Sequence, residues 1–432
     1  MTNEPFFPKN KVLNEFKLRL SAGQTGSMAG IGNWAAMNLV SAGSAYNGVS
    51  GLSFSTPAQD LKWEKSTKYN AGFDSSWLED RLYFNFDAFY SRTDDLLYSK
   101  PVIGTSGYTS LTSNIGVMDN VGVELTLGGT VVKAGDFQWD LSGNFSWNKN
   151  TLVKLLDGQD IIYVNSSTLY GGNKHAIITG QPISTWYTLK AIGIYQSDDE
   201  VPYALYEKGV RAGDVKYLDV NKDGDIDYNN DRVITGKATP DFFGGLTSTM
   251  KWCGLELNIF CQYSIGGKIF AAWKGAGQEG TEHLGLSSGT VVGDDGRTYT
   301  QFFNVSQKAA KEYWRGPGTS NTMPRPTISG MHTGWDVDYN ILTSSRYLED
   351  ASYFKIKTIT LAYNLPKKWM DAIKMDGIKV FFTVDNAFCF TAYDGYDPEV
   401  SISNAPASGD YGVDFGYQPV LRNFLFGASF KF

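Results

Sequence analysis

The sequence predicts an all-β protein, specifically an antiparallel transmembrane β-barrel, and three observations predict it. Apolar and polar residues alternate over segments of about ten positions, the period of a strand whose two faces meet different solvents. Short and long connections between these segments also alternate along the chain. The last segment closes on an aromatic residue, Phe432.

The clearest segment runs from Phe137 to Asn148. Phe137, Trp139, Leu141, Phe145 and Trp147 point one way, and Gln138, Asp140, Ser142, Asn144, Ser146 and Asn148 the other. The same pattern recurs at Phe16, Leu18, Leu20; at Leu82, Phe84, Phe86, Ala88, Tyr90; and at Val121, Val123, Leu125, Leu127. Two later segments continue it: Leu255, Leu257, Ile259, Cys261, Tyr263, and Ile378, Val380, Phe382, Val384. Charge is confined to the opposite faces, at Lys17, Arg19, Asp87, Glu124, Asp140, Glu256, Lys379 and Asp385. A secreted β-sandwich that binds or cleaves polysaccharide is the competing reading. Its strands are typically about 5–6 residues long, whereas a tilted crossing of a bilayer needs about 9–11, which suits these segments better.

The connections point the same way. Tight turns are expected at Leu78-Glu79-Asp80-Arg81, at Lys133-Ala134-Gly135-Asp136 and around Cys253-Gly254, and a short link at Pro366 to Asp376. Long extracellular loops are expected at about 93–118, 151–239, 267–350 and 390–419, because barrels reverse the chain briefly on the periplasmic side and bind ligand with long loops outside. After Phe354 and Ile356 the apolar phase shifts to Ile359, Leu361 and Tyr363, which predicts a β-bulge. The final strand, with Phe424, Phe426, Ala428, Phe430 and Phe432 on one face, is expected to end on the periplasmic side. About ten to twelve strands are legible in all, too few for a large closed barrel, so a partial barrel over 1–432 is expected.

Composition fits this class. Aromatic residues make up 14% of the chain and charged residues only 19%, below the roughly 25% of soluble domains. No apolar run is long enough for a transmembrane helix. A net charge of −7 excludes the clustered cations that hold a phosphate backbone, so no nucleic acid partner is expected. Cys253, Cys261 and Cys389 suggest neither a disulfide framework nor a zinc site. Residues 1–12 lack the apolar core of an export signal, which such a barrel needs, so a signal is expected to be supplied by a missing N-terminal part.

Several motifs resemble the SusC/RagA-like TonB-linked outer-membrane transporters of Bacteroidetes. They are Phe16-Lys-Leu-Arg-Leu-Ser-Ala-Gly-Gln-Thr-Gly26, Leu61-Lys-Trp-Glu-Lys65, Asn120-Val-Gly-Val-Glu-Leu125, Gly180-Gln-Pro182, Gly193-Ile-Tyr195 and Gly213-Asp-Val-Lys-Tyr217. Asp350-Ala-Ser-Tyr-Phe-Lys-Ile-Lys357, Asp385-Asn-Ala-Phe388 and Tyr393-Asp-Gly-Tyr-Asp-Pro-Glu399 follow in order. The resemblance implies a TonB-dependent nutrient importer with a barrel of about 22 strands around a plug. It further implies a SusD-like surface lipoprotein as partner, glycan oligomers or peptides as substrate, and no enzymatic activity. The plug, and the segment through which the TonB complex acts, are the parts expected to be missing.

Candidate sites are few. Asp219, Asn221, Asp223 and Asp225, with Gly224 at the sharp turn and Asp231 one place beyond the usual twelfth position, resemble a calcium loop. Two readings stand, a bound Ca2+ and a polar turn of surface acids. Gly275-Ala-Gly277-Gln-Glu-Gly280 matches a dinucleotide fingerprint without the helix and acid that motif needs, and reads as a flexible loop. His175, His283 and His332 stand singly in loops and read as surface residues. Residues 393–399 read as a structural turn, not a catalytic carboxylate pair, and no catalytic residue is expected. Trp273, Trp314 and Trp335 could stack on sugars or pack the loops together.

Overall fold

The computed structural model describes residues 12–29, 39–46, 49–54, 61–101, 110–114, 116–155, 160–164, 174–275, 285–292, 297–302, 305–328 and 331–432, with a few isolated positions between them. Its main body is one antiparallel sheet of ten strands in which each strand pairs with its neighbours in chain order. These are β1 (Leu13–Ser27), β2 (Glu64–Trp77), β3 (Leu82–Asp94), β4 (Gly116–Ala134) and β5 (Phe137–Leu155). There follow β6 (Phe242–Trp252), β7 (Leu255–Ile265), β8 (Tyr353–Asn364), β9 (Gly377–Thr391) and β10 (Asn423–Lys431). The links β2–β3, β4–β5, β6–β7 and β8–β9 are short and share one end of the sheet. Every other link is long and leaves from the opposite end.

Pairing brings the apolar positions onto one face. Phe84, Phe86, Ala88 and Tyr90 of β3 sit opposite Leu127, Leu125, Val123 and Val121 of β4, which in turn oppose Gly143, Phe145, Trp147 and Lys149 of β5. Much of this face is bare, with Leu20 at 71% exposure and Phe426 at 80%. No second sheet covers it among the described residues, as a sandwich would require. Membrane hydrocarbon is the solvent that makes such a face stable. Tyr69 and Trp77, and likewise Trp147 and Trp139, lie eight positions apart on this face, roughly 27 Å along the strand at ~3.4 Å per residue. That spacing suits two interfacial aromatic rows flanking an apolar band ~25 Å tall.

The other face carries the charges, and they pair across strands. Arg19 of β1 reaches Asp74 of β2 at 2.9 Å and Asp87 of β3 at 2.7 Å. Arg92 grips Asp119 with two hydrogen bonds, at 2.8 and 2.9 Å, and Lys379 meets Glu256 at 3.0 Å. Phe89, an apolar exception on this face, lies over Gly122, where an added Cβ would come within 2.3 Å of the ring.

The bulge falls where the apolar phase shifts. Lys357 has no partner on β7, because Phe260 pairs with Thr358 and Cys261 with Ile356. On β9 two residues, Asn386 and Ala387, stand against it, with Asn386 in the left-handed region at φ 53°. The consequence is that Lys355, Lys357 and Thr358 all face the polar side, while Ile356 and Ile359 face the apolar side.

β4 and β5 are 19 residues each, about twice what a bilayer crossing needs, so they continue well above the apolar band. The described parts of the long connections 156–241, 266–352 and 392–422 fold into a layer at the same end. There the buried core lies, around Leu189, Val215, Tyr217, Ile226, Tyr339 and Leu342.

Candidate functional site

Three buried contacts hold the loop layer together. Trp186, Phe270, Tyr347 and Val413 pack as one cluster drawn from three different connections. Trp186 donates from Nε1 to the Lys268 carbonyl at 3.0 Å and stacks on the His175 ring at 3.8 Å between centroids. His175 is itself buried, its Nε2 2.9 Å from the Tyr411 carbonyl, and burial drives its pKa down to about 4, so the ring is neutral.

The second contact centres on Asp214. Arg325 donates to both of its oxygens at 2.7 and 2.9 Å, and Asn340 Nδ2 adds a bond at 2.9 Å. His332 Nε2 lies 3.0 Å from Asp214 Oδ2, while its Nδ1 lies 3.2 Å from Asp338 Oδ2. A ring flanked by carboxylates at both nitrogens must donate from both, so it is an imidazolium. Burial alone would lower its pKa, but the hydrogen bonds to Asp214 and Asp338 outweigh burial and push it up to about 9. Burial likewise opposes ionisation of Asp214, yet the bonds from His332 and Arg325 hold its carboxyl below the usual range.

These two histidines correct the sequence reading. His175 and His332 are 1% and 6% exposed, not surface residues, and His332 has two carboxylate partners. Their partners are over a hundred residues away in several cases, so local spacing carries no signal of them. His283 and residues 276–280, which contain most of the glycine-rich match, lie outside the described residues.

The third contact joins two motifs of the sequence. Lys355 donates to Asp397 Oδ1 at 2.6 Å and to Glu399, and Lys357 reaches Glu399 Oε2 at 2.6 Å. Tyr353 donates its hydroxyl to Glu399 Oε1 at 2.8 Å. Burial would raise the Glu399 pKa, but the bonds from Lys355 and Lys357 prevail and bring it down to about 2. Residues 393–399 thus form a turn anchored to the polar face of β8, where Lys355 and Lys357, two positions apart, point the same way.

The acidic stretch folds as a self-satisfied turn. Asp219 accepts from the Lys222 and Gly224 amides at 2.6 and 2.9 Å, and Asp231 from Val220 and Asp227 at 2.9 and 2.8 Å. Asn221 donates to Asp223 at 2.7 Å, and Asp225 pairs with Lys208. Among the described residues no group of three or more His, Cys, Asp or Glu is arranged to hold a metal ion. The loop tryptophans are also occupied: Trp273 donates to the Tyr393 hydroxyl at 3.0 Å, Trp314 to Gln196 at 3.3 Å, and Trp335 to the Ile226 carbonyl at 3.0 Å.

Where the three long connections meet they leave a cavity of about 830 Å³. Its wall is ionic, with Lys274, Lys308, Arg346, Glu282, Glu349 and Asp394 among the lining residues. Lys274 is buried and faces Glu282 at 3.2 Å, Asp394 at 3.3 Å and Glu349, and Lys308 reaches Asp394 at 3.2 Å. A half-open cleft of this size with a few fixed polar groups can orient a small or oligomeric polar ligand.

Comparison with known proteins places this geometry. Residues 6–260 match the family model described as "TonB dependent receptor-like, beta-barrel". TonB-dependent receptor P3 of Formosa agariphila is 28% identical over 441 residues, covering 100% of this chain and 41% of that protein. TonB-dependent receptor SusC of Bacteroides thetaiotaomicron is 27% identical over 439 residues, covering 99% and 39%. A structure of the RagAB peptide transporter superposes with a TM-score of 0.75 at 23% identity, covering 99% of this chain and 42% of that one. The chain therefore spans about two fifths of the length of the relatives it matches. One exposed apolar face, alternating short and long links and this match together show that the chain belongs to the TonB-dependent receptor-like β-barrel family of the outer membrane.

Proposed function

We propose that this chain forms the substrate-facing barrel wall and extracellular loop layer of a nutrient importer driven by TonB. In this reading it captures glycan oligomers or peptides together with a SusD-like surface lipoprotein. The observation that carries the proposal is the half-open ionic cleft of about 830 Å³ that folded loops line at the end of the sheet opposite the short turns. A passive pore needs no such cleft, whereas a ligand-gated importer must hold its cargo before releasing it inward. The name of the relative SusC as a TonB-dependent receptor supports the TonB-driven reading, and the likeness to the RagAB peptide transporter supports peptides as one substrate class. Contact with the TonB complex belongs, in this proposal, to the part of the relatives' length that this chain does not span.

The test is uptake by cells carrying the whole transporter. Labelled oligopeptides and labelled oligosaccharides are supplied separately, with and without Lys274→Met. One substrate class is expected to accumulate, with accumulation lost in the variant and in cells without TonB. Equal uptake in wild type and variant would remove the cavity from the pathway.

A further inference from the structure

The apolar face carries a groove of about 650 Å³ beginning at the turn Leu78–Arg81. Phe84, Leu141, Phe145 and Leu246 wall it, and Gly129 and Gly143 form its floor. The two glycines differ. A Cβ at Gly129 would fall 2.0 Å from the Arg81 carbonyl, so packing within the protein forbids a side chain there. A Cβ at Gly143 would meet Leu246 at 3.4 Å and the Gly245 carbonyl at 3.5 Å, ordinary contacts, and the backbone there is not left-handed. The protein's own packing leaves that space open without needing to.

The groove also has a polar end. Arg81 lines its mouth, and its guanidinium has no hydrogen-bond or ion-pair partner among the described residues. Beside it, the register of β4 against β5 shifts between Thr130 and Val132. From Gly129 to Leu125 the groove follows four residue steps, roughly 14 Å at ~3.4 Å each, about half of a ~30 Å hydrocarbon core. A cation at the interface with an apolar channel one leaflet deep matches the chemistry of one ligand, an acyl chain carrying a phosphate.

We propose that this groove is a binding site for one glycerophospholipid of the periplasmic leaflet, its phosphate on Arg81 and an acyl chain over Gly129 and Gly143. The leaflet follows from the short turns facing the periplasm, and the phosphate from the planar donor fork of arginine. Annular lipid elsewhere on the face exchanges freely; this molecule is held.

Native mass spectrometry of the protein extracted from outer membranes in mild detergent tests the site, by titration with dioleoylphosphatidylglycerol and separately with lipopolysaccharide. A single phosphatidylglycerol adduct is expected at about tenfold lower lipid concentration in wild type than in Arg81→Gln or Gly143→Leu, a difference of about 1.4 kcal/mol. Phe382→Leu, on a distant strand of the same face, is expected to behave as wild type. Identical titrations in wild type and both variants, or preferred retention of lipopolysaccharide, would overturn the proposal. Should Gly143→Leu fail to insert, Arg81→Gln decides alone.

Discussion

His332 Nε2 and Asp214 Oδ2 lie 3.0 Å apart although 118 residues separate them in the chain, and both side chains are fully buried. This pair fastens the connection after β5 to the connection after β7. It makes the loop layer a folded body and not a set of independent excursions.

Loop-layer stability is expected to depend on pH through His332. Its folded pKa of about 9 stands above the ordinary imidazole value of 6.5, so its contribution is complete below pH 6.5 and is lost as pH rises through about 9. Asp214 and Asp338 are held below the ordinary 3.8, so their contribution is present above that value and is lost as pH falls below it. Limited proteolysis across this range is expected to leave 156–241 and 266–352 protected near pH 6 and open near pH 10. His332→Gln is expected to cost about 2–3 kcal/mol and to abolish the alkaline transition.

The anchor of the 392–422 connection is expected to fail selectively. Glu399→Gln removes the charge shared by Lys355 and Lys357, with an expected cost of about 1–3 kcal/mol. Hydrogen exchange should then quicken in residues 393–402 without change in β8 or β9. In wild type the same segment should loosen only as pH falls from the ordinary glutamate value of 4.5 through about 2.

Insertion beside the bulge should differ sharply from deletion of its extra residue. Removing Lys357 takes out the unpaired residue and leaves Ile356, Thr358 and Ile359 in plain alternation, whereas inserting one residue between Thr358 and Ile359 turns Ile359, Leu361 and Tyr363 to the polar side. Heat-modifiable migration on gels is expected to be lost in the insertion and kept both in the deletion of Lys357 and in Lys357→Met, which removes one of the donors to Glu399 and leaves Lys355 and Tyr353.

The acidic turn is expected to fold without calcium, since Asp219 and Asp231 already accept backbone amides. Chelation should leave thermal unfolding unchanged. Asp231→Ala strands the Val220 and Asp227 amides and should cost about 1–3 kcal/mol. A calcium-dependent rise in melting temperature would contradict this account of the turn.

What the sequence revealed and what it hid follow from the same physics. A strand between lipid and water must alternate, so the apolar face of Phe137 to Trp147 and the bulge near Ile356 are written locally. The upper reach of β5 was less legible: Asn148, Lys149 and Asn150 break the alternation, yet the strand continues to Leu155 because above the bilayer both faces meet water or other loops. The site was least legible. Arg325 and Asn340 meet Asp214 across 111 and 126 residues, through loop conformations that no period specifies. Only the pairing of Lys355 with Glu399 left a trace, in two motifs whose meeting was not evident.

The account's central claim is that one face of the sheet lies in lipid. Spin labels placed singly from Phe137 to Asn148, with the three native cysteines replaced, report it through collision with oxygen and with a water-soluble nickel chelate after reconstitution in bilayers. Oxygen access is expected to peak at 139, 141, 143, 145 and 147, with nickel access peaking at the residues between them. Equal access to both reagents along the strand, or nickel access at Leu141 and Phe145, would contradict the claim.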